Sequence, residues 1–335
     1  MNDSIPSNVL DILDNSPVAP QSAATWQRPM TTTEIALAQG IPPAARAASP
    51  TAAYLQSKSL DWTVAKRPLT SDGALVESFV AIKREDTGEV LGVVGSDYQP
   101  VQNINAFRAF DAVIESGQAQ IQSAGAFDGK KVWMQATFNT SHEVVVGDVV
   151  RATVVLMNGH DGSGSCKANR IVERLVCKNG MTRRATQRLY MIRHTRNVNE
   201  RLEQANDLVS RVIQQTEREV AQYAEMAKRQ MVTADILAYL QVVVPNPVDT
   251  EAKRAKANAE RIRDEIMGLI ESGSGTEIRG VRGTLWGTYN AVTEWVDHHR
   301  NSEHAENRRR EANWFGSGAD LKDLALETAL VQMYK

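Results

Sequence analysis

The spacing of hydrophobic residues changes twice along the chain and divides its 335 residues into three regions. Up to about residue 60, large apolar residues follow no regular spacing. From there to about residue 198, short apolar runs alternate with turn sequences, a pattern typical of β-strands. Farther on, apolar residues recur every three or four positions, as in amphipathic helices. The pattern predicts a disordered N-terminal arm over residues 1–60, an α+β core over 61–198 and a helical region over 199–335.

The predicted arm is rich in Ala, Pro, Ser and Thr, as in the stretches SPVAPQSAAT and IPPAARAASPTAA. A segment of this composition buries too little apolar surface to offset the conformational entropy that folding removes. We therefore expect no fixed structure before the core begins.

The core region shows the pattern of two β-hairpins with a helix between them, followed by two further strands. The β-rich runs SFVAIKRE and VLGVVGSDYQPV flank the turn DTGE, and AQIQSAGAF and VWMQATF flank the turn DGKK. Between the hairpins, NINAFRAFDAVIES has helical spacing, and Gly117 is placed to end that helix. The runs GDVVRATVVLMN and ANRIVERLVC follow, around the polar loop GHDGSGS. Together they predict an antiparallel β-sheet packed by at least one helix, an α+β fold.

Four amphipathic helices are predicted in the C-terminal region. The first covers residues 199–231, and two prolines separate it from the second, over 250–273. A glycine-rich loop precedes the third, over 284–300, and the fourth covers 319–333. In the third helix, Trp286 and Trp295 are spaced to lie on one face.

Bulk composition is that of an ordinary globular protein, with 42% hydrophobic and 23% charged residues. No apolar run is long enough for a membrane helix, and the N-terminus lacks the pattern of a signal peptide. We therefore expect a cytoplasmic protein without a membrane partner. Cys166 and Cys177 fit neither a zinc site nor a disulfide framework, so we expect both to be reduced thiols.

Positive charge is concentrated in one segment of a chain whose formal net charge is −2. From Ser165 to Arg201 only two acids, Glu173 and Glu200, accompany ten basic residues. Like charges held on one face repel unless solvent screens them or an anion neutralises them, so a polyanion is the expected partner. The ten are Lys167, Arg170, Arg174, Lys178, Arg183, Arg184, Arg188, Arg193, Arg196 and Arg201.

The start of this segment, ANRIVERLVCKNGM, has an approximate alternation of apolar and basic residues. It predicts a half-buried strand with one basic face. Arginine pairs with phosphate through two parallel hydrogen bonds and stacks on bases, which favours nucleic acid as the anion. The alternative is that these arginines are spread over a solvated surface or paired with acids elsewhere in the chain. Similarly, Tyr98, Phe127, Trp133 and Tyr190 either stack on unpaired bases or belong to the core.

No enzyme signature is recognisable. The loop GHDGSGSCK lacks the spacing of a phosphate-binding P-loop, and His160 with Asp161 has no nucleophile to complete a catalytic set. His298, His299 and His304 lack further metal ligands at a suitable spacing. We therefore predict a protein that is not an enzyme and needs no cofactor or metal.

Four motifs together carry a family resemblance. They are LGVVGSDYQPVQN, LMNGHDGSGSCKA, RLVCKNGM and TLWGTYNAVTEWVDH. They resemble the phage/plasmid-like protein family, a family of unknown function encoded by phages, plasmids and integrated elements, over roughly Asp61 to Met333. This resemblance implies a role connected with DNA. The predicted order of hairpin, helix, hairpin and basic strand is also similar to the core of the single-strand annealing proteins, which implies rings or filaments that bind unpaired DNA without ATP.

The function expected from the sequence is therefore single-stranded DNA binding and annealing by a homo-oligomer. One alternative is an accessory protein, anti-defence or regulatory, that binds a host-encoded or element-encoded protein through the Trp286–Trp295 face of its helical half. Another is a metal-dependent nuclease. The expected DNA contacts are Lys167, Arg170, Arg174, Lys178, Arg183, Arg184, Arg188, Arg193 and Arg196.

Overall fold

A computed structural model shows the α+β fold that the sequence predicts, with antiparallel sheets first and helices after them. The structure describes residues 49–162, 165–177, 179–181, 188–192, 194, 208–248, 253–300 and 306–334. Residues 1–48 of the predicted arm lie outside these ranges.

The first sheet has three antiparallel strands in the order β1-β2-β3. They are β1 (Val64–Ser71), β2 (Ala74–Arg84) and β3 (Val90–Gly95). The hairpin predicted around DTGE joins β2 to β3 and is confirmed. The strand pattern was not recognised in β1, where lysine, arginine and proline interrupt it. This strand pairs with β2 through a tight turn in which Asp72 and Gly73 both have positive φ.

Part of the predicted arm is folded. Helix α1 (Pro50–Ser57) begins at Ser49, whose side chain accepts a hydrogen bond from the backbone N–H of Ala52. Ser49 also donates a hydrogen bond of 2.7 Å to Asp111, and Leu55 is buried in the core. The prediction of disorder is therefore wrong from residue 49 onward. Helix α1 is stabilised by a carboxylate and by core residues that are distant in the sequence, and local composition does not show such contacts.

The single helix predicted after β3 is two short helices, α2 (Asn103–Phe107) and α3 (Asp111–Glu115), joined by a 3-10 turn. Gly117, with φ of 73°, follows their end as predicted. Apolar residues of both helices pack with α1 into a core against the two sheets.

The second sheet is the larger one. Its strands run in the order β4-β5-β6-β7-β8, and β9 also pairs with β7. Asp128 and Gly129, both with positive φ, form the predicted turn between β4 and β5. The strands are β4 (Ala119–Phe127), β5 (Lys131–Val145), β6 (Asp148–Gly159), β7 (Cys166–Arg174), β8 (Asn179–Met181) and β9 (Arg188–Ile192).

Helices form most of the C-terminal half, and all four predicted helices are present. Two more, α5 (Thr233–Val243) and α8 (Glu306–Phe315), occur in the described residues where we predicted none. A π-helix, Trp295–His299, follows α7 directly. The helices are α4 (Leu208–Lys228), α5 (Thr233–Val243), α6 (Lys253–Ser272), α7 (Leu285–Glu294), α8 (Glu306–Phe315) and α9 (Ser317–Met333). None of the helices within the described ranges is long and apolar enough to cross a membrane.

Helix α7 lies at the centre of a second core, and all of its residues are buried. Trp286 is 0% exposed and Trp295 is 5% exposed. Trp286 stacks on Tyr223, and the Trp295 indole donates a hydrogen bond to Glu265. The aromatic face expected to bind a protein partner is therefore internal, because α4, α6 and α9 enclose α7. The partner-binding alternative loses the surface on which it depended.

Candidate nucleic-acid interface

Two of the expected DNA contacts, Arg170 and Arg174, lie on the covered face of β7. They share that face with the core residues Cys166, Ala168 and Val172. Arg170 is 2% exposed and donates a hydrogen bond of 2.5 Å to Glu219 of α4. Its guanidinium also contacts Thr216, one helical turn away.

Arg174 is enclosed completely. It is 0% exposed, and its Nε and Nη2 donate hydrogen bonds of 2.7 and 2.9 Å to the two carboxylate oxygens of Asp148. Its Nη1 donates to the carbonyl oxygen of Ser274, and the Trp286 indole donates to the same Asp148 carboxylate. Burial opposes the charge, but the hydrogen bonds and attraction of Asp148 outweigh it and raise the pKa of Arg174.

The expectation that Arg170 and Arg174 contact DNA is therefore wrong. Each guanidinium already has a carboxylate of its own chain, and helices exclude a nucleic-acid strand from this face. Arg188 is described only as a β9 residue whose backbone pairs with Asn169. Lys167 lies half-buried on the opposite face of β7. The remaining expected contacts, Lys178, Arg183, Arg184, Arg193 and Arg196, lie outside the described residues.

The opposite face of the second sheet, called the outer face below, is only partly covered. Helix α8 lies across it: Asn169 donates a hydrogen bond of 2.8 Å to the Trp314 carbonyl oxygen, and Lys131 donates one of 2.8 Å to Glu311. The side chains of the outer face include Lys131, Trp133 and Gln135 of β5, Thr153, Val155 and Met157 of β6, and Lys167, Asn169, Ile171 and Glu173 of β7.

An aromatic cluster fixes α8 on the outer face. Trp314 of α8 meets Trp133 edge to face, with 5.1 Å between ring centroids, and also packs on Phe127. Gly125 lies opposite Trp133 on β4, where a β-carbon would be 2.7 Å from the indole ring. Only glycine leaves room for this ring. The Arg310 guanidinium lies 5.4 and 5.9 Å from the Trp133 and Trp314 ring centroids.

Helix α8 separates two depressions of the outer face. The first, here the Lys131 pocket, has a volume of about 320 Å³ and is lined by Lys131, Lys167, Arg308, Glu311 and Phe315, among others. Burial opposes the charge of Lys131, but its hydrogen bond with Glu311 and the attraction of Glu311 and Asp161 raise its pKa. The lysine therefore stays charged beside Arg308.

The second depression, here the Lys322 pocket, has a volume of about 370 Å³. The Lys322 ammonium group donates a hydrogen bond of 2.8 Å to Asp297, whose other oxygen accepts one from the Gly180 N–H. Asp297 belongs to the π-helix, an irregularity that often marks functional sites. Two of the motifs that carry the family resemblance, RLVCKNGM and TLWGTYNAVTEWVDH, thus meet here. The lining also includes Gln135, Glu173, Glu306, Arg309, Arg310, Asn313 and Trp314.

His160, for which the sequence shows no catalytic nucleophile, belongs to a buried polar cluster. Its Nε2 lies 2.8 Å from the Asn103 side-chain oxygen, and Asn158 donates to the same oxygen. Nearby, His194 Nδ1 accepts a hydrogen bond from the Val101 N–H, and the ring stacks on Tyr98. Burial lowers the pKa of His160 to about 3 and that of His194 to about 4, so both rings are neutral near pH 7. These contacts join His160, which directly follows β6, and His194 to the core.

Carboxylates do not converge on a metal-binding geometry within the described ranges: no group of three or more His, Cys, Asp or Glu side chains there is placed to hold a metal ion. His298 and His299 are exposed at the end of the π-helix, and His304 lies outside the described residues. The nuclease alternative therefore gains no support from this part of the chain.

Helix α8 carries a charge signal that was not among the predicted sites. The run ENRRREANWF contains three consecutive arginines followed by two aromatic residues, a signal of charge next to stacking platforms. The larger excess of positive charge lies in residues 165–201, and residues 301–318 fall between the predicted third and fourth helices.

Comparison with known proteins gives one match. The model of a family described as a domain of unknown function (DUF932) matches residues 90–314. No curated protein and no solved structure matches the chain. The matched residues include all of the second sheet, the π-helix and nearly all of α8.

Proposed function

Because the chain belongs to the DUF932 family, a domain of unknown function, we propose a function from its surface chemistry: it binds single-stranded DNA along α8 and the outer face and promotes annealing. The observation that carries this proposal is the arrangement of Arg308, Arg309 and Arg310. Arg308 lines the Lys131 pocket, whereas Arg309 and Arg310 line the Lys322 pocket. One short helix thus offers cations on both of its sides, next to the half-buried Trp314.

Physical chemistry favours a nucleic-acid strand as the occupant. A chain with a net charge of −2 has no global attraction to polyanions, so binding requires local clustering of cations. Arg308, Lys131 and Lys167 provide such a cluster in one pocket. Arginine matches the geometry of phosphate oxygens, and the half-buried Trp314 beside it gives an aromatic ring on which an unpaired base can stack. Duplex DNA keeps its bases stacked internally, so this combination favours a single strand.

The proposal includes annealing and oligomer formation. Their support is the resemblance to the phage/plasmid-like family and the similarity of element order to the annealing proteins. We include the arginines between residues 182 and 196 as further phosphate contacts. Strand β9, which belongs to that segment, pairs with β7 at the edge of the second sheet. Binding along phosphates leaves the base edges available to a complementary strand, which is what annealing requires.

The test is the salt dependence of binding. We expect fluorescence anisotropy with a labelled single-stranded oligonucleotide to show affinity that falls steeply with salt, by a slope of roughly −0.7 per phosphate contact. Replacing Arg308, Arg309 and Arg310 together by alanine should weaken binding and reduce the slope by roughly 0.7 for each of the three that contacts phosphate. The same proteins, mixed with complementary strands without ATP or metal, should speed duplex formation only when the arginines are present.

The matched control removes three exposed cations from another helix. Lys253, Arg254 and Lys256 of α6 change the net charge by the same amount when replaced by alanine. We expect that variant to bind nearly as the wild type does. Equal losses in the two variants would mean that binding depends on net charge alone, and an unchanged affinity after loss of the α8 arginines would refute the proposed surface.

A further inference from the structure

We infer that the Lys322 pocket receives one unstacked base of the bound strand, while the Lys131 pocket on the other side of α8 holds backbone phosphate. This inference rests on the proposed function and assigns different parts of the nucleotide to the two depressions. The evidence is the difference in charge and shape between them.

The Lys131 pocket is suited to an anion. Its three cations, Lys131, Lys167 and Arg308, outnumber the two carboxylates beside them, Glu311 and Asp161, both of which pair with Lys131. Arg308 is exposed and therefore accessible to a ligand in solvent. An excess of cations in a shallow surface pocket attracts phosphate.

The Lys322 pocket has no such excess. Its carboxylates Glu173, Asp297 and Glu306 balance the cations Arg309, Arg310 and Lys322. Moreover, two of those cations are already compensated: Lys322 pairs with Asp297, and Arg310 pairs with Glu306 one turn away on α8. A phosphate would meet these carboxylates and be repelled, whereas an uncharged ligand would not.

The walls of the Lys322 pocket suit a flat ring with mixed hydrogen-bonding groups. Trp314 gives an aromatic wall, and the guanidinium of Arg310 lies over that same indole. Around it, Gln135 and Asn313 contribute amides; the Gln135 oxygen also accepts a hydrogen bond from Ser123, and the Asn313 nitrogen donates one to the Val296 carbonyl oxygen. The Arg309 Nε is buried and has no hydrogen-bond partner among the described residues, which leaves a donor for a carbonyl oxygen. Nucleobases present this combination of a π-face and a polar edge.

The volume is also appropriate. At about 370 Å³, the pocket lies at the lower end of the range typical of small-molecule sites. It is therefore suited to a nucleoside rather than to a larger cofactor.

The experiment separates the base from the phosphate by using probes that carry only one of them. The four uncharged deoxynucleosides are tested by saturation-transfer difference NMR, and an oligonucleotide made wholly of abasic sites is compared with an ordinary one by anisotropy. We expect saturation transfer to base protons, and at least about five-fold tighter binding of the ordinary strand, the lower limit for one base stacked on an aromatic ring.

Gln135→Trp fills the pocket without changing charge, and Gln241→Trp, at an exposed position of α5, is the matched control. The first variant should lose the nucleoside signals and the preference for bases while keeping salt-dependent binding of the abasic strand. Gln241→Trp should keep all three properties. If circular dichroism shows that Gln135→Trp does not fold, Gln135→Leu is used instead, because it removes the amide and adds less volume. The nucleoside measurement on the wild type still tests whether the protein binds an uncharged base.

The failures of the two proposals are distinguishable. Equal, salt-dependent binding of abasic and ordinary strands, with no nucleoside signal, would overturn the base pocket and leave the DNA-binding surface standing. Absence of binding by either strand would overturn the proposed function and the base pocket with it. Nucleoside signals that persist in Gln135→Trp would place the base elsewhere and refute this assignment.

Discussion

Replacing Asp148 by alanine tests whether the arginines of β7 serve the fold rather than DNA. The carboxylate is 0% exposed and accepts hydrogen bonds from two guanidinium nitrogens of Arg174 and from the Trp286 indole. Its removal leaves a buried positive charge and an indole N–H without these acceptors. Breaking a buried ion pair from one side costs about 3–5 kcal/mol, out of a total stability of roughly 5–15 kcal/mol.

Urea denaturation measures this cost as a lower midpoint at an unchanged slope. The comparison is Arg261→Ala, because Arg261 and Glu265 form an exposed ion pair along α6 whose loss should cost about 0.3–0.5 kcal/mol. In addition, Asp148→Leu combined with Arg174→Met should recover much of the stability, since exchanging both partners for apolar side chains leaves no uncompensated charge.

Two results would refute this reasoning. The first is a loss in Asp148→Ala no larger than that in Arg261→Ala, which would mean that the enclosed pair contributes little. The second is a folded Arg174→Met or Arg170→Met protein, of wild-type stability, whose affinity for single-stranded DNA has fallen. That outcome would restore these two arginines as DNA contacts.

Two further measurements test other parts of the structure. Because the pKa values of His160 (about 3) and His194 (about 4) lie below the ordinary 6.5, the unfolded chain takes up protons first as the pH falls. Above about pH 6.5 the two neutral rings make their full contribution to the free energy of unfolding. Below it, this free energy should fall by about 1.4 kcal/mol per pH unit for each ring, down to the pKa of that ring in the folded state. We expect the free energy of unfolding, measured in urea, to decrease from pH 7 to pH 5 by about 2 kcal/mol less in His194→Asn than in the wild type. An identical decrease in both proteins would contradict burial of a neutral ring. Finally, replacing Arg183 and Arg184 by alanine should weaken single-stranded DNA binding alike for all sequences and leave the urea midpoint unchanged, whereas a loss confined to one sequence would argue against contacts with the backbone.

The α+β fold class and most element types were determined by the sequence, because their causes are local. The turn at Asp128 and Gly129 needs positive φ at two successive residues, a requirement that the two residue types reveal by themselves. Likewise, the spacing of apolar residues in α4, α6, α7 and α9 follows from the geometry of a single helix.

Only the tertiary structure decided which charges are available on the surface. Alternation along β7 indicates two faces but does not tell which of them helices cover. The partners of Arg170 and Arg174 lie 49 and 26 residues away in the chain, at Glu219 and Asp148. In the same way, α8 brings its arginines to the outer face from a position more than 130 residues beyond Lys167. Burial and pairing depend on contacts between distant segments, so a local excess of charge cannot specify a binding face until the chain has folded.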